Sequence, residues 1–114
     1  MEECLFCKIV NKEIPAELIF EDDRIIAFND INPQAPIHIL IITKEHFDSL
    51  NDVPEEKNGI LGHILVRARQ IAQNLGIQER GYRIVLNTAR DSGQEVFHIH
   101  FHLLGGRRMT WPPG

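Results

Sequence analysis

Three of the six histidines in this 114-residue chain fall at strict two-residue spacing in His98-Ile99-His100-Phe101-His102-Leu103-Leu104. Alternation of histidine with large apolar residues predicts a β-strand, because successive strand side chains point to opposite faces. Ile99, Phe101 and Leu103 then enter a core, while His98, His100 and His102 line one edge of a cleft about 6.5–7 Å apart, twice the strand rise. Near neutral pH an imidazole can be nucleophile, general acid, general base or metal ligand, so an aligned set is a candidate reaction site. The plain alternative is a row of satisfied polar residues on a half-exposed strand, which suits a single histidine better than three in register. A metal centre built from all three is disfavoured, since the outer two stand about 13 Å apart on an extended strand. A site using one or two of them stays open.

The elements that must position these residues follow from apolar periodicity. Ile37 to Ile42 is a continuous apolar run interrupted only by His38, which predicts a strand. Leu18-Ile19-Phe20 and Ile25-Ile26-Ala27-Phe28 flank Glu21-Asp22-Asp23-Arg24 and predict a hairpin. Tyr82 to Asn87 and Val96 to Leu104 predict two further strands. Leu5 to Val10 predicts a short helical turn that ends before Pro15. From Ile60 to Leu75 apolar residues recur at helical spacing, which predicts one long amphipathic helix. Asp52 with Glu55 is its expected capping box and Gly76 its left-handed stop. Gly59 and Gly62 weaken it locally and are expected to permit a close contact. Strands joined largely without crossover helices, with one long helix packed on them, predict an α+β domain on an antiparallel sheet, spanning residues 1–114 as a single unit.

Composition bounds the partners. Twelve basic residues against sixteen acidic ones leave a formal charge of −4, which argues against a polynucleotide partner but not against a small phosphate ligand. No apolar run reaches membrane-spanning length, and Met1-Glu2-Glu3 is acidic where a signal peptide would be basic, so a cytoplasmic protein is expected. Cys4 and Cys7 are then expected to be reduced thiols or metal ligands.

The histidine segment resembles the signature of the histidine-triad (HIT) superfamily. The likeness extends over nearly the whole chain, through Phe6-Cys7-Lys8-Ile9, Glu13-Ile14-Pro15-Ala16, Asp30-Ile31-Asn32-Pro33-Gln34-Ala35-Pro36, Gly81-Tyr82-Arg83, Gly93-Gln94-Glu95-Val96-Phe97 and Trp111-Pro112-Pro113-Gly114. These motifs resemble the nucleoside phosphoramidase branch. The resemblance implies a HIT-like fold with a five-stranded antiparallel sheet, one long and one short helix, and a two-fold homodimer with a ten-stranded sheet. It implies purine nucleoside monophosphates and phosphoramidates as ligands, and hydrolysis of the P–N bond of adenosine or guanosine 5′-phosphoramidates through a nucleotidyl-histidine. The alternatives are a dinucleoside polyphosphate hydrolase of the same superfamily and a nucleotide-binding regulatory protein with weak catalysis.

Residue by residue, the resemblance makes His100 the nucleophile and places His102 and His38 beside it. His98 and Glu95 are further candidates for proton delivery. Asp30 resembles the carboxylate that takes the ribose hydroxyls, although an ordinary turn residue would also fit its place. Ile9, Phe28 and Ile31 resemble the purine walls, although spacing alone makes them core. Asn87, Gly93, Gln94 and Val96 match positions around the phosphate.

Three departures from the animal members stand out. Glu95 occupies the place of a serine beside the leaving group, where a carboxylate favours cationic amines. Asn32 and Thr43 replace a frequent serine and proline, and neither is expected to decide function. Cys4-Leu5-Phe6-Cys7 is a pair the animal branch lacks. In related proteins such a pair is completed by a histidine after the long apolar strand and the first histidine of the triad, here His46 and His98. That implies a structural zinc on Cys4, Cys7, His46 and His98, with no cofactor required for the chemistry. Two buried reduced cysteines are the simpler alternative.

Overall fold

The computed structural model describes residues 4–114; Met1-Glu2-Glu3 lies outside the described residues. Seven main elements follow in chain order: α1 (Leu5–Val10), β1 (Leu18–Glu21), β2 (Ile25–Asn29), β3 (Ile37–Thr43), α2 (Gly59–Asn74), β4 (Tyr82–Val85) and β5 (His100–Gly105). The strands form one antiparallel sheet in the order β1-β2-β3-β5-β4. No described helix is long and apolar enough to cross a membrane.

The apolar run Ile39 to Ile42 in β3 reflects its place at the centre of the sheet, where both faces are covered. Ile39 and Ile41 face α2, joining Ile25, Ala27, Phe101, Leu103 and the helix residues Ile60, Ile64, Ala68 and Ile71 in the larger core. Leu40 and Ile42 face the other way, where Phe6 and Ile9 of α1 close a smaller core with Ile26 and Phe28. Burying each such isoleucine or phenylalanine contributes about 1.5–3 kcal/mol. Ile42 pairs with His100 and Leu40 with His102, which puts both histidines on the α1 side of the sheet.

Several local expectations need correction. The fifth strand begins at His100 and not at Val96, since the segment before it leaves the ladder and Ile99 N–H donates instead to Phe47 O at 2.8 Å. β4 ends at Val85, short of Asn87. The capping box is formed by Ser49 and Asp52 on a 3₁₀ turn, Leu50–Asp52. Pro54 forces Val53 into an extended conformation and breaks the chain before a second 3₁₀ turn, so α2 starts at Gly59 with no side-chain cap. Gly59 and Gly62 have open space where a Cβ would stand, so neither serves a close contact. Gly76 does take the left-handed conformation that stops α2, at φ +74°.

Candidate active site and candidate metal centre

A cavity of about 380 Å³ opens on the α1 side of the sheet, within the range of small-ligand sites. Leu5, Phe6 and Ile9 of α1, Ile14, Pro15 and Ala16 of the following loop, and Phe28 and Leu40 of the sheet give it one apolar end. Its polar end gathers Asp30, Gln34, His38, Asn87, Gly93, Glu95, His100 and His102. Val96 lines it too, and Ile31 stands fully exposed on its rim.

The hydrogen bonds assign each imidazole proton. His100 Nδ1–H donates to His98 O at 2.7 Å. A carbonyl only accepts, so the neutral ring keeps its lone pair on Nε2. Burial lowers the His100 pKa and favours that neutral ring. Gln34 N–H donates to His38 Nδ1 at 3.0 Å, so His38 holds its proton on Nε2, 2.9 Å from His102 Nδ1. His102 must then carry its proton on Nε2, a buried atom with no hydrogen-bond partner among the described residues. Desolvation, followed by repulsion from His100 and His38, pushes the His102 pKa down to about 4. Asp30 Oδ2 lies 3.4 Å from His38 Nε2, and Asp30 Oδ1 accepts from Asn32 N–H at 2.8 Å. A lone pair on His100 and a spare donor on His102 thus stand side by side, their ring centroids 5.0 Å apart.

His98 and Gln94 do not line the cavity. The Gln94 side chain is buried and consumed by the protein: its Oε1 accepts from Ala89 N–H at 2.8 Å, and its Nε2 donates to Asp48 O and Val96 O at 2.7 and 3.0 Å. It braces the loop at Ala89, a non-glycine residue held at φ 67°. Gly93 closes the same loop at φ +86°, a conformation that favours glycine. Leu5, Phe6, Ile14 and Gln34 also line the cavity without having been singled out by type or spacing, although each lies inside a motif that carries the resemblance or the cysteine pair. Phe6 stands edge-on to both Phe28 and His100, with centroids 5.7 and 5.0 Å away.

The His98 side chain turns toward α1. Its Nδ1 lies 3.3 Å from Cys4 Sγ, 3.6 Å from Cys7 Sγ and 3.2 Å from His46 Nδ1, and Cys7 Sγ is 3.3 Å from His46 Nδ1. A tetrahedral zinc ion with ordinary bond lengths needs edges of about 3.3 Å between nitrogens and about 3.6 Å between nitrogen and sulfur. The outward nitrogens are both occupied, since His98 Nε2–H donates to Thr43 O and His46 Nε2–H to Asp48 Oδ1, each at 2.7 Å. Two Nδ1 lone pairs therefore face each other, a repulsive arrangement that a central cation relieves. Burial and the neighbouring Cys4 raise the Cys7 thiol to about 11, so a thiolate there requires such a cation. Asp30, His38 and His102 also sit close enough to hold an ion, but there a proton already bridges His38 Nε2 and His102 Nδ1.

The HIT domain family model matches residues 11–109. The chain is 51% identical over 108 residues to a purine nucleoside phosphoramidase of Escherichia coli K12, covering 95% of this chain and 91% of that one. It is 46% identical over 113 residues to an uncharacterized HIT-like protein of Synechocystis, covering 99% and 98%. A HIT family hydrolase from Legionella pneumophila Philadelphia 1 superimposes with a TM-score of 0.96 at 57% identity, covering 98% of this chain and all of that one. With the fold, the histidine segment and these likenesses in agreement, the chain belongs to the HIT domain family.

Proposed function

We propose that the chain is a purine nucleoside phosphoramidase, a hydrolase that cleaves the P–N bond of adenosine or guanosine 5′-phosphoramidates. The observation that carries this reading is the neutral tautomer of His100, which offers a lone pair at Nε2 inside a cavity with one apolar and one polar end. The likeness to the E. coli phosphoramidase points the same way. The apolar end suits a purine, Asp30 suits the ribose hydroxyls, and Asn87 and Gly93, which line the cavity with His100, suit a phosphate.

His100 Nε2 attacks the α-phosphorus and the P–N bond breaks, with its electron pair leaving on nitrogen. The departing amine must gain a proton; a neutral imidazole that gave one up would become an imidazolate, so that proton comes from solvent through the open cavity. His102 Nε2–H, the donor that the protein leaves unused, is free to hydrogen-bond a phosphoryl oxygen or the leaving nitrogen as charge develops there. Water then attacks the nucleotidyl-histidine and restores the imidazole. The test is a single-turnover reaction with adenosine phosphoramidate: intact mass should show a transient AMP adduct, and an unmodified protein with no amine released would overturn the reading.

The same reading includes a structural zinc on Cys4, Cys7, His46 and His98, supported by the donor geometry above. When bound it supplies a cross-link and no chemistry, since four protein ligands leave no place for substrate. His98 then acts as a ligand and as the backbone acceptor for His100, not as an acid. We also infer a homodimer that extends the sheet. β4 is an edge strand, and Leu65 and Val66 are exposed on α2, so pairing would cover both an open edge and apolar surface. Analytical ultracentrifugation reading a monomer at micromolar concentration would exclude it.

A further inference from the structure

Arg107 follows the Gly105-Gly106 turn at the end of β5 and does not line the cavity. Yet its guanidinium is bonded to the loop that governs the histidines inside. Arg107 Nε and Nη2 both donate to Gln34 O, at 3.2 and 3.1 Å. The two segments are pressed together there, since a Cβ on Gly106 would lie only 2.8 Å from Pro36 Cβ. One step inward, Gln34 N–H donates to His38 Nδ1 at 3.0 Å. A backbone N–H can only donate, so this single bond places the proton of His38 on Nε2 and, through the 2.9 Å contact, that of His102 on its own Nε2.

We propose that Arg107 is a positioning residue for the reaction: by pinning the Gln34 carbonyl it fixes the Gln34 backbone whose N–H meets His38, and so keeps a hydrogen-bond donor on His102 Nε2. Its importance for turnover rests on the phosphoramidase reading; its effect on the imidazole protons does not. Within the loop Asn32 N–H donates to Asp30 Oδ1 at 2.8 Å and Gln34 Nε2 to Asn32 O at 3.0 Å, but neither bond holds the two peptide groups that flank the Gln34 Cα. Without the guanidinium, the Gln34 N–H is free to turn to water. His38 Nε2–H then has a competing acceptor in Asp30 Oδ2, 3.4 Å away. Once that switch occurs, His102 can hold its proton on Nδ1 and present a lone pair where a donor is needed.

The test uses the full chain with nitrogen-15 histidine, comparing wild type with Arg107→Ala, Arg107→Lys and Arg108→Ala by long-range proton–nitrogen spectra at pH 7.5. Wild type and Arg108→Ala should show His102 as a single Nε2–H tautomer. Arg107→Ala should show averaged nitrogen signals for His38 and His102, and Arg107→Lys, which keeps one donor group, an intermediate pattern. On adenosine phosphoramidate, Arg107→Ala should lower kcat roughly tenfold with KM within about twofold, a fraction of the roughly 10²–10³ that losing a hydrogen-bond donor to the transition state costs. A single unchanged His102 tautomer in Arg107→Ala overturns the proposal whatever the activity. Equal changes in Arg108→Ala, which would assign the effect to bulk charge, also overturn it. If Arg107→Ala fails to fold, Arg107→Gln carries the same comparison. A wild type that does not turn over the substrate sinks the phosphoramidase reading and leaves the spectroscopic arm decisive.

Discussion

His100 Nδ1–H donates to the carbonyl oxygen of His98 at 2.7 Å, while the His98 imidazole lies against Cys4, Cys7 and His46. One residue thus joins the candidate nucleophile to the candidate metal centre, through its backbone on one side and its side chain on the other. Replacing His100 by Ala removes the lone pair but leaves the cavity walls in place. Adduct formation should vanish in intact mass spectra while AMP binding by calorimetry stays within a few-fold; near wild-type turnover would rule out the covalent route.

Chelation should separate the two roles of His98. Protein prepared without chelator is expected to carry one zinc per chain by elemental analysis, and Cys7→Ser to lose it. The variant should also melt several degrees lower, because α1 has only six residues and no strength of its own. Metal-free protein with both cysteines freely alkylated would remove the zinc reading.

The depressed pKa of His102, about 4, has a defined sign. Above about pH 6.5, the unperturbed value, neither folded nor unfolded His102 carries the extra proton, and the group adds nothing to the pH dependence. Below it the unfolded chain takes up a proton that the folded one refuses. Stability should therefore fall by about 1 kcal/mol per pH unit between roughly pH 6.5 and 4 from this residue alone, and His102→Asn should flatten that slope in denaturant titrations. Activity should persist to lower pH than a free imidazole would allow.

Glu95 stands exposed on the rim of the cavity. A carboxylate within several ångströms of a departing cationic amine stabilises it by about 1 kcal/mol in a partly solvated site, roughly five- to tenfold in rate. Glu95→Ser should lower the preference for lysine-like over uncharged leaving groups by that factor in kcat/KM, without abolishing activity. An unchanged ratio would assign Glu95 to solvent.

Gln94 is a strut, and its loss should be read in stability more than in affinity. Gln94→Ala leaves the Ala89 N–H and the Asp48 and Val96 carbonyls short of partners. Chemical unfolding should show a loss of about 2–3 kcal/mol. A loss under 0.5 kcal/mol would mean that water replaces the side chain at no cost.

What the sequence could reveal tracked burial. The apolar run of β3 and the helical spacing of α2 were legible because each reports which side chains avoid water. Strand ends were not: Phe97 to Ile99 keep the alternating pattern, yet among the described residues no β-ladder partner continues beyond Ile42 opposite His100. The same limit hid the differing tasks of the triad, since alternation places His98 on the same face as His100 but says nothing of the turn that sends its ring toward Cys4. Pro54 outweighed the polar spacing that suggested a cap at Asp52. Gln34 and Arg107, 73 residues apart, meet through a backbone carbonyl, and no side-chain pattern records such a bond.

His38 and His102 are 64 residues apart in the chain, and their contact exists only when β3 and β5 pair at the middle of the sheet. Closing so long a loop must precede any gain from the pairing, which makes it an expensive step in entropy and a slow one. α2 needs only local contacts to begin forming. In refolding from denaturant, helical ellipticity should therefore return before turnover, and the recovery of activity should time the last long-range event in the chain's folding.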